Sequence, residues 1–403
     1  MAAVTPASGE APDPASIDSA LDALFARLRR DPDFDAEELL PFDATDHLLL
    51  RTVAADRAVS ATPHHLGAGE LAVIGDRHGA LTLGAATALG ATAIRTHQDP
   101  LLGELALQQN AEREGLTGSF TSHALGPELL DGARTVLLQL PRGLDALTEI
   151  AEAIARWARP EVRVYAGGRV KHMTRGMNDV LGRSFADVSA GLGWRKSRLL
   201  FASGPRREAG AHQSFPRWGS DPAIDFDLAA FGATFGGPVL DRGSRLLLGT
   251  LASAPSTAER VVDLGCGNGV LAVSAARALP RARVIATDQS TAAVEATRLT
   301  SEAAGVADRV EVHREDATDA VSDEWADLIL LNPPFHTGAT VHAGVAHRLI
   351  RACARALAPG GELRLVFNSH LRYRSLVEQE IGPTRQLARD ATFTVLSARR
   401  RGA

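Results

Sequence analysis

The glycine-rich segment from Val261 to Leu271 has the composition of a ligand-binding turn between a strand and a helix. Gly265, Gly267 and Gly269 stand at alternate positions, where the absence of a side chain lets the backbone turn sharply and approach a ligand closely. The helix that follows presents its N-terminus to the same place. Dinucleotide enzymes more often carry G-x-G-x-x-G, so the alternate spacing, with Asp263 at the strand end, indicates a different ligand.

Acidic residues follow the next two strands that the sequence predicts. Asp288 ends the second strand about 25 residues after the turn, where a carboxylate can accept both hydroxyls of a ribose. Glu315 and Asp316 follow the third strand, within reach of an adenine amino group. A glycine-rich turn alone is a weak signal, and an aspartate after a strand is often only a helix cap. Their order on successive strands is what predicts a binding site.

A second motif, Asn332-Pro333-Pro334-Phe335, follows the predicted buried strand Ala326–Leu331. A proline fixes its own φ and keeps the preceding residue extended, so Asn332 and Pro333 are held rigidly. The Asn332 side-chain oxygen and the Pro333 carbonyl oxygen can then accept the two hydrogens of a planar amine, which aims the nitrogen lone pair. Phe335 can stack on a flat substrate, an interaction worth about 1 to 3 kcal/mol per base. The alternative is an ordinary proline-rich loop.

Together these segments resemble the class I S-adenosylmethionine-dependent methyltransferases. The resemblance implies S-adenosylmethionine as cofactor, with its methionine part along Asp263, Gly265 and Gly267. It likewise implies that the ribose lies at Asp288 and the adenine near Asp316. The other cofactor-binding residues expected from it are Cys266, Asn268, Gly269, Gln289 and Asn332.

The Asn332–Phe335 segment resembles the (Asn/Asp/Ser)-Pro-Pro-(Tyr/Phe) motif of methyltransferases that act on amino nitrogens. With His336, the segment Leu240–Leu248 and a duplicated architecture, it resembles the RsmC/RlmG family of ribosomal RNA guanine-N2 methyltransferases. That family implies ribosomal RNA or a ribosomal subunit as partner and a degenerate N-terminal copy that binds no cofactor. The role of His336 is open between substrate contact and structure, and Cys266 is interpreted as packing rather than as a nucleophile.

Alternating strands and helices carry these residues in the C-terminal half. The predicted strands are Arg260–Leu264, Arg283–Thr287, Val310–His313, Ala326–Leu331 and Glu362–Phe367. Helices are predicted from Val270, over Thr291–Ala304, and through Leu349–Leu357 to a stop at Pro359. Such alternation predicts a mostly parallel sheet covered by helices on both faces.

The N-terminal half repeats this order of elements at lower fidelity. Its predicted strands are Leu71–Gly75, Ala93–Thr96, Thr135–Leu140 and Arg163–Ala166. At the positions of Asp288 and Asn332 it carries His97 and Gln139, and a histidine cannot replace a carboxylate on a ribose. We therefore predict an α/β fold with two tandem Rossmann-like methyltransferase domains from an internal duplication, the N-terminal one degenerate. The predicted segments are a disordered leader (1–16), the degenerate domain (17–205), a linker (206–235) and the catalytic domain (236–403).

Composition sets limits on the class of protein. Hydrophobic residues make up 45% and charged residues 23% of the 403 residues, as in globular domains. The sequence has no apolar run of roughly 20 residues and no signal peptide, so we expect a cytoplasmic protein without a membrane span. Two cysteines far apart and histidines without ligand spacing predict neither disulfides nor a metal site. A monomer is expected.

Charge is distributed unevenly along the chain. The segment from Arg163 to Arg217 contains eleven Lys or Arg residues and three acidic residues. Its net charge is therefore +8, in a protein whose net charge is −5. Such a region suits a phosphate-bearing macromolecule, and solvated surface charge is the alternative. The residues predicted to bind RNA are Arg195, Lys196, Arg206 and Arg207.

Two other functions compete with methylation of ribosomal RNA. A protein glutamine-N5 methyltransferase acting on release factors uses the same carbonyl geometry, but it more often has Tyr after the prolines and a small helical N-terminal domain. A non-catalytic RNA-binding assembly factor would have no need of the C-terminal motifs. Both of these alternatives remain open from the sequence.

Overall fold

A computed structural model of the chain describes residues 14–34, 36, 38–59, 66–207, 213–333 and 339–402. Contacts divide the chain into two compact units. The first unit runs to Gln98 and resumes at Gly103, whereas the second comprises Asp99–Leu102 and the chain from Gln213 onward. Each unit is built on its own sheet.

The strands described in the first unit are β1 (Leu71–Ile74), β2 (Ile94–His97), β3 (Phe120–Ser122), β4 (Thr135–Gln139), β5 (Arg163–Arg169), β6 (Phe185–Ala190) and β7 (Ser197–Pro205). They form one sheet in the order β3-β2-β1-β4-β5-β7-β6, parallel from β1 to β5 and antiparallel at β7 and β6. The helices that precede and connect them are α1 (Pro14–Phe25), α2 (Ala44–Val59), α3 (Ala80–Leu89), α4 (Leu101–Glu114), α5 (Pro127–Leu130), α6 (Leu144–Trp157) and α7 (Arg175–Ser184).

The second unit begins with a small antiparallel pair, β8 (Arg217–Gly219) and β9 (Leu228–Ala230). Its main strands are β10 (Arg260–Leu264), β11 (Arg283–Asp288), β12 (Val310–Arg314), β13 (Ala326–Leu331), β14 (Leu357–Asn368), β15 (Thr384–Arg389) and β16 (Phe393–Arg399). Their order is β12-β11-β10-β13-β14-β16-β15. The described helices are α8 (Arg242–Leu248), α9 (Val270–Ala278), α10 (Thr291–Ala303), α11 (Ala339–Ala356) and α12 (Arg374–Glu380).

The central strands are apolar on both faces because helices cover both sides of each sheet. Successive side chains of a strand point to opposite faces. In β4, Leu137 therefore packs into a cluster with Leu50 of α2, whereas Val136 packs into a second cluster with Leu147 of α6. The side chains of β13 alternate in the same way between two apolar clusters of the second unit. The predicted α/β class is confirmed.

The order of strands reverses between β10 and β13, which are neighbours in space but separated in sequence by two strands. At such a point the connections leave the sheet in opposite directions and open a crevice at the carboxyl ends of the strands. The register pairs Leu264 with Leu331, the last residues of the two strands. Gly265 and Asn332 therefore leave adjacent strands at the same edge.

The structure corrects the predicted end of one helix. Helix α11 ends at Ala356 rather than at Pro359, and β14 begins immediately at Leu357. Leu357 pairs with Ala326, and the register then shifts before Leu328 pairs with Glu362. The strand therefore continues through the Pro-Gly-Gly segment, which from the sequence alone predicted the end of a helix. Burial and pairing with the neighbouring strand favour the extended conformation there.

Two predicted segment boundaries also differ. Helix α1 begins at Pro14, inside the predicted leader 1–16, and proline is well tolerated in the first turn of a helix. Residues 1–13 lie outside the described part of the chain. The predicted linker 206–235 contains β8 and β9, and its Phe226 and Leu228 pack into the apolar core of the second unit. Much of that segment is therefore part of the second unit. No described helix is long and apolar enough to cross a membrane.

Candidate active site

The glycine-rich turn after β10 forms a cradle of open backbone. Gly265 and Gly267 have φ of +78° and +57°, the left-handed region that side chains disfavour. A Cβ atom placed on either residue would meet no other atom within 4 Å. The Gly265 N–H donates to the carbonyl oxygen of Thr287 at 2.8 Å, which fixes the turn beside the end of β11. The turn thus leaves room for a ligand along its backbone.

Asp288 ends β11 next to this turn. Its Oδ2 accepts a hydrogen bond from Gly267 N at 3.1 Å and its Oδ1 accepts one from Ser290 N at 2.9 Å. Loss of hydration outweighs these two bonds and, with the charge of Asp99 adding to it, raises the pKa of Asp288 to about 6. At neutral pH Asp288 is therefore a carboxylate that can accept further hydroxyl donors.

Asp263 lies on β10, one residue before the end of that strand, and is fully buried. Its Oδ2 accepts from Ala272 N at 2.8 Å, which ties β10 to the first turn of α9. Its Oδ1 is buried and has no hydrogen-bond partner among the described residues. Burial, reinforced by the charge of Asp288, raises the pKa of Asp263 to about 7. A buried acceptor without a donor is a feature that a bound ligand can satisfy.

Asn332 follows β13 and is half-buried. Its Nδ2 donates to Ser244 Oγ at 3.0 Å and contacts the carboxylate oxygens of Asp241 at 3.3 and 3.5 Å. Its Oδ1 is buried and accepts no hydrogen bond from any residue the structure describes. The amide is therefore anchored through its nitrogen and offers its oxygen.

Two of the predicted cofactor residues have side chains engaged in the turn itself. Cys266 is buried, accepts a hydrogen bond from Thr297 Oγ1 at 3.2 Å, and has its pKa raised by burial, which agrees with packing. Asn268 donates to the carbonyl oxygens of Gly237 and Val239, each at 3.0 Å. The side chain of Asn268 therefore holds the 237–239 loop against the glycine-rich turn.

The remaining predicted residues take different positions around the edge. Gly269 has φ of +82° and packs so closely on Thr297 that a Cβ would lie 3.0 Å from its Cα. Gln289 is exposed just after β11. Asp316 follows β12 and forms an ion pair with Arg348 of α11.

Only part of the Asn-Pro-Pro-Phe motif is described. Pro333 is buried, so the peptide that follows Asn332 is held in the protein interior. Pro334, Phe335 and His336 lie outside the described residues, and the roles predicted for them remain predictions.

The same edge of the first unit lacks this arrangement. Gly75 leaves β1 as Gly265 leaves β10, but Arg77 stands at the place of Gly267. His97 ends β2, and its Nδ1 lies 2.9 Å from the carbonyl oxygen of His123. Gln139 at the end of β4 donates from Nε2 to Asp46 at 2.5 Å. No open glycine cradle beside a carboxylate is present in the described part of this unit.

The four residues predicted to bind RNA do not form one surface. Arg195 and Lys196 are exposed at the turn before β7, whereas Arg206 and Arg207 follow its other end. A nine-residue strand places its ends roughly 26 Å apart. Arg207 also donates to the carbonyl oxygen of Ala158 at 2.7 Å, so its guanidinium already has an acceptor.

A group of cations that the sequence analysis did not single out lies at the carboxyl edge of the first sheet. Four cations end or follow the strands β1, β4 and β5 there, and after loss of hydration their charges lower the pKa of His172. The four residues are Arg142, Lys171, Arg77 and Arg169. Arg169 also donates to the carbonyl oxygen of Arg195 at 3.0 Å, which connects this group to the turn before β7. We call these residues, with Arg195 and Lys196, the basic edge.

Asp241 and Ser244 are the site residues that the sequence analysis missed. Both lie within Leu240–Leu248, a segment that resembles the family but from which no role was predicted for either residue. An Asp-x-x-Ser pattern before an apolar helical run marks a helix N-terminus, which is the signal that was present. Within the described ranges, no group of three or more His, Cys, Asp or Glu residues is arranged to hold a metal ion.

Two family models match the chain, one over each unit. The methyltransferase small domain matches residues 226–397, and the RLMG N-terminal domain matches residues 18–206.

Several curated relatives match over nearly the whole chain. Ribosomal RNA large subunit methyltransferase G of Pseudomonas fluorescens is 33% identical and covers 95% of this chain and 100% of its own length. The protein of the same name from Streptomyces avermitilis is 32% identical, with 92% of this chain and 96% of its own covered.

One solved structure resembles the chain over both units. It is the T. thermophilus 16S rRNA N2 G1207 methyltransferase (RsmC) in complex with AdoMet and guanosine, with a TM-score of 0.72 and 23% identity. The match covers 89% of this chain and 92% of that one, so the two proteins share a fold.

Proposed function

The chain belongs to the ribosomal RNA large subunit methyltransferase G family, and on that premise we propose that it transfers a methyl group from S-adenosylmethionine to the exocyclic N2 amine of a guanine in large-subunit ribosomal RNA. The resemblance to the RsmC/RlmG family stated from the sequence is confirmed. The relatives carry the name of a large-subunit enzyme, which favours that subunit over the small one. The guanine and its N2 atom are supported by the name of the structural neighbour.

The residues at the edge of the second sheet fit S-adenosylmethionine. When bound, this cofactor supplies an electrophilic methyl group. Gly265 and Gly267 leave open backbone for its amino-acid part, and Asp288 offers a carboxylate to the ribose hydroxyls. The unpartnered Oδ1 of Asp263 can accept a donor from the cofactor or from a water held by it.

The observation that carries the proposed reaction is the buried, unpartnered Oδ1 of Asn332. An amine hydrogen donated to this oxygen would hold the nitrogen at a fixed point beside the glycine-rich turn. The carbonyl oxygen of Pro333, in a peptide restrained by the following proline, can accept the second hydrogen. The nitrogen lone pair then stands perpendicular to the plane of the amine, and these residues contribute by positioning it. When the nitrogen gains the methyl group it gives up one hydrogen as a proton to water.

Replacement of Asn332 tests this role. Asn332→Ala should keep the dissociation constant for S-adenosylmethionine within about twofold and lower kcat roughly a hundredfold, the scale for one preorganised polar contact. Isothermal titration with the cofactor and single-turnover methylation of ribosomal RNA measure the two quantities separately. Equal losses of cofactor affinity and turnover would indicate a folding defect and remove the argument for Asn332.

We also propose that the two units arose by internal duplication, with the first (17–205) a degenerate domain and the second (from about 236) catalytic. Both sheets have the same strand order, with two antiparallel strands in corresponding places. Asp43 and Asp241 stand at the start of α2 and α8, each five residues before a Leu-Leu-Leu run. Gln139 and Asn332 end corresponding strands and each contacts the third residue after its aspartate.

RNA docking is assigned to the first unit by this proposal. The basic edge brings cations together at the carboxyl ends of the first sheet. This position corresponds to that of the glycine-rich turn in the second sheet. Phosphates of a folded RNA would meet several cations there at once, which gives affinity without reading sequence. Arg206 and Arg207 were also predicted from the sequence to bind RNA, but they lie at the other end of β7 and are not part of the proposed docking surface. Reaction on ribosomal RNA also fits the expected cytoplasmic location.

The competing functions gain no support. The relatives named ribosomal RNA large subunit methyltransferase G match both units of the chain. A glutamine-N5 methyltransferase, in contrast, was expected to carry a small helical N-terminal domain. The assembly-factor alternative predicts no cofactor binding, and a single titration with S-adenosylmethionine distinguishes it.

A further inference from the structure

We propose that Asp241 and Ser244 are positioning residues that set the orientation of the Asn332 amide and thereby create its acceptor. The inference rests on the proposed function and assigns a role to the start of α8. The contacts that carry it are those from Asn332 Nδ2 to Ser244 Oγ and to both carboxylate oxygens of Asp241.

The chemistry of the partners determines which end of the amide faces them. An ionised carboxylate only accepts hydrogen bonds, so it attracts the amide NH2 group and repels the amide oxygen. A flipped Asn332 would place its oxygen against both oxygens of Asp241 and would present NH2 to the site. An NH2 group cannot accept a hydrogen from a substrate amine. Asp241 therefore decides whether position 332 offers an acceptor or a donor.

Asp241 is itself held in place by the backbone. Its Oδ1 accepts from Gly243 N at 2.9 Å and from Ser244 N at 3.1 Å, which makes it the N-cap of α8. Ser244 is 4% exposed, and Leu247, one turn later, is fully buried in the apolar core. A rigid, packed helix end therefore orients the amide.

Gly243 permits this close approach. A Cβ at position 243 would lie 3.2 Å from Asp241 Oδ1 and 3.3 Å from Asn332 Oδ1, both closer than ordinary contact. Any larger residue would push the amide away from the helix start. The Asp-x-Gly-Ser order is thus explained by one function, which is to support residue 332.

Asp241→Asn tests the role with little change in volume. Asparagine caps helices about as well as aspartate, so α8 should remain folded. Its own NH2 group can face Asn332, however, and the orientation of the Asn332 amide is then no longer fixed. We expect kcat to fall by about 10- to 100-fold, the scale for removing a group that orients a functional ligand, while cofactor affinity and thermal midpoint stay near wild type. Gly243→Ala should lower kcat in the same way.

The matched control is Asp43→Asn in the first unit. Asp43 accepts from Thr45 N at 2.6 Å at the start of α2, so the same change is made at the corresponding position of the first unit. This variant should keep wild-type kcat. If Asp43→Asn loses as much activity as Asp241→Asn, the loss comes from changing a helix N-cap in general. That result would overturn the proposal.

A double-mutant cycle separates positioning from general structural support. If Asp241 acts through Asn332, adding Asp241→Asn to Asn332→Ala should change kcat less than about twofold. A merely structural Asp241 would cost the same factor in both backgrounds, which would overturn the inference. The proposed function fails separately, if the wild-type chain forms no methylated guanine. Activity lost in Asn332→Ala but kept in Asp241→Asn would refute only the positioning role.

Discussion

At the scale of single residues, the sequence predicted the parts of the site that are carried by one segment. Asp263, Gly265 and Asp288 stand where a strand ends, and the strand itself delivers them to the edge of the sheet. The side chain of Asn268 donates to the 237–239 loop, and its predicted contact with the cofactor stays a prediction. Asp241 was missed because its partner, Asn332, is 91 residues away, and local spacing carries no information about such a contact.

Ionisation of Asp288 should control cofactor affinity. Its pKa is raised to about 6, so the carboxylate that we propose as the acceptor of the ribose hydroxyls is lost as pH falls through that value. Affinity for S-adenosylmethionine should therefore be about tenfold weaker at pH 5 than at pH 8. Asp288→Asn should bind weakly at both pH values, with a flatter profile.

His97→Ala is the control for this titration, because His97 ends the corresponding strand of the first unit. Its pH profile should match that of the wild-type chain. An Asp288→Asn profile as steep as the wild type would show that another group controls binding.

At the scale of helices and strands, apolar periodicity predicted the central elements well. The strands Arg260–Leu264 and Ala326–Leu331 have the predicted bounds, because both faces of a central strand are buried and its sequence is continuously apolar. The antiparallel strands β15 and β16 were not predicted. Most residues of β15 are partly or fully exposed, so its pairing depends on a partner strand rather than on its own pattern.

A buried ion pair on β14 should matter for stability. Arg364 and Glu362 have side chains 0% and 1% exposed, and Arg364 also donates to the carbonyl oxygens of Thr250 and Ser253 just after α8. Arg364→Met leaves the buried Glu362 carboxylate with only the more distant Arg399, 3.9 Å away, and we expect a loss of about 3 to 5 kcal/mol in the free energy of unfolding. Urea denaturation of the full chain measures it.

Arg260→Met provides the comparison, since the Arg260–Asp327 ion pair is 42% and 28% exposed. Solvent weakens such a pair, and its loss should cost less than about 1 kcal/mol. Similar losses from the two substitutions would contradict the importance given to burial.

At the scale of the whole molecule, we propose that RNA docking and methyl transfer belong to different units. The sequence located the excess of positive charge between Arg163 and Arg217 but could not tell which cations share a face. The fold decides this, because Lys196 directly precedes β7 and Arg206 directly follows it, so the two residues lie at opposite ends of that strand. A count of charges along the sequence therefore cannot show which cations share a surface, and the RNA-binding role of the region stays a prediction.

Salt dependence of RNA binding tests the basic edge. Each lost phosphate contact should lower the slope of log affinity against log salt by about 0.7 to 0.9. Arg195→Gln with Lys196→Gln should therefore weaken RNA binding and flatten the slope by about 1.5, while leaving cofactor affinity intact. Filter binding over a range of salt concentrations gives both values.

Arg206→Gln with Arg207→Gln removes the same charge from the other end of β7 and should leave the slope unchanged. If this control pair flattens the slope and the Arg195 and Lys196 pair does not, RNA docks elsewhere than on the basic edge.

The central claim is tested most directly by identifying the methylated nucleoside. The full-length protein, S-adenosylmethionine with an isotopically labelled methyl group, and ribosomal RNA from cells lacking this activity are incubated together, and the RNA is digested for mass spectrometry. We predict labelled N2-methylguanosine in large-subunit RNA, at one site, with Asn332→Ala giving roughly a hundredth of the rate. Label in another nucleoside, in small-subunit RNA alone, or in protein would contradict the account.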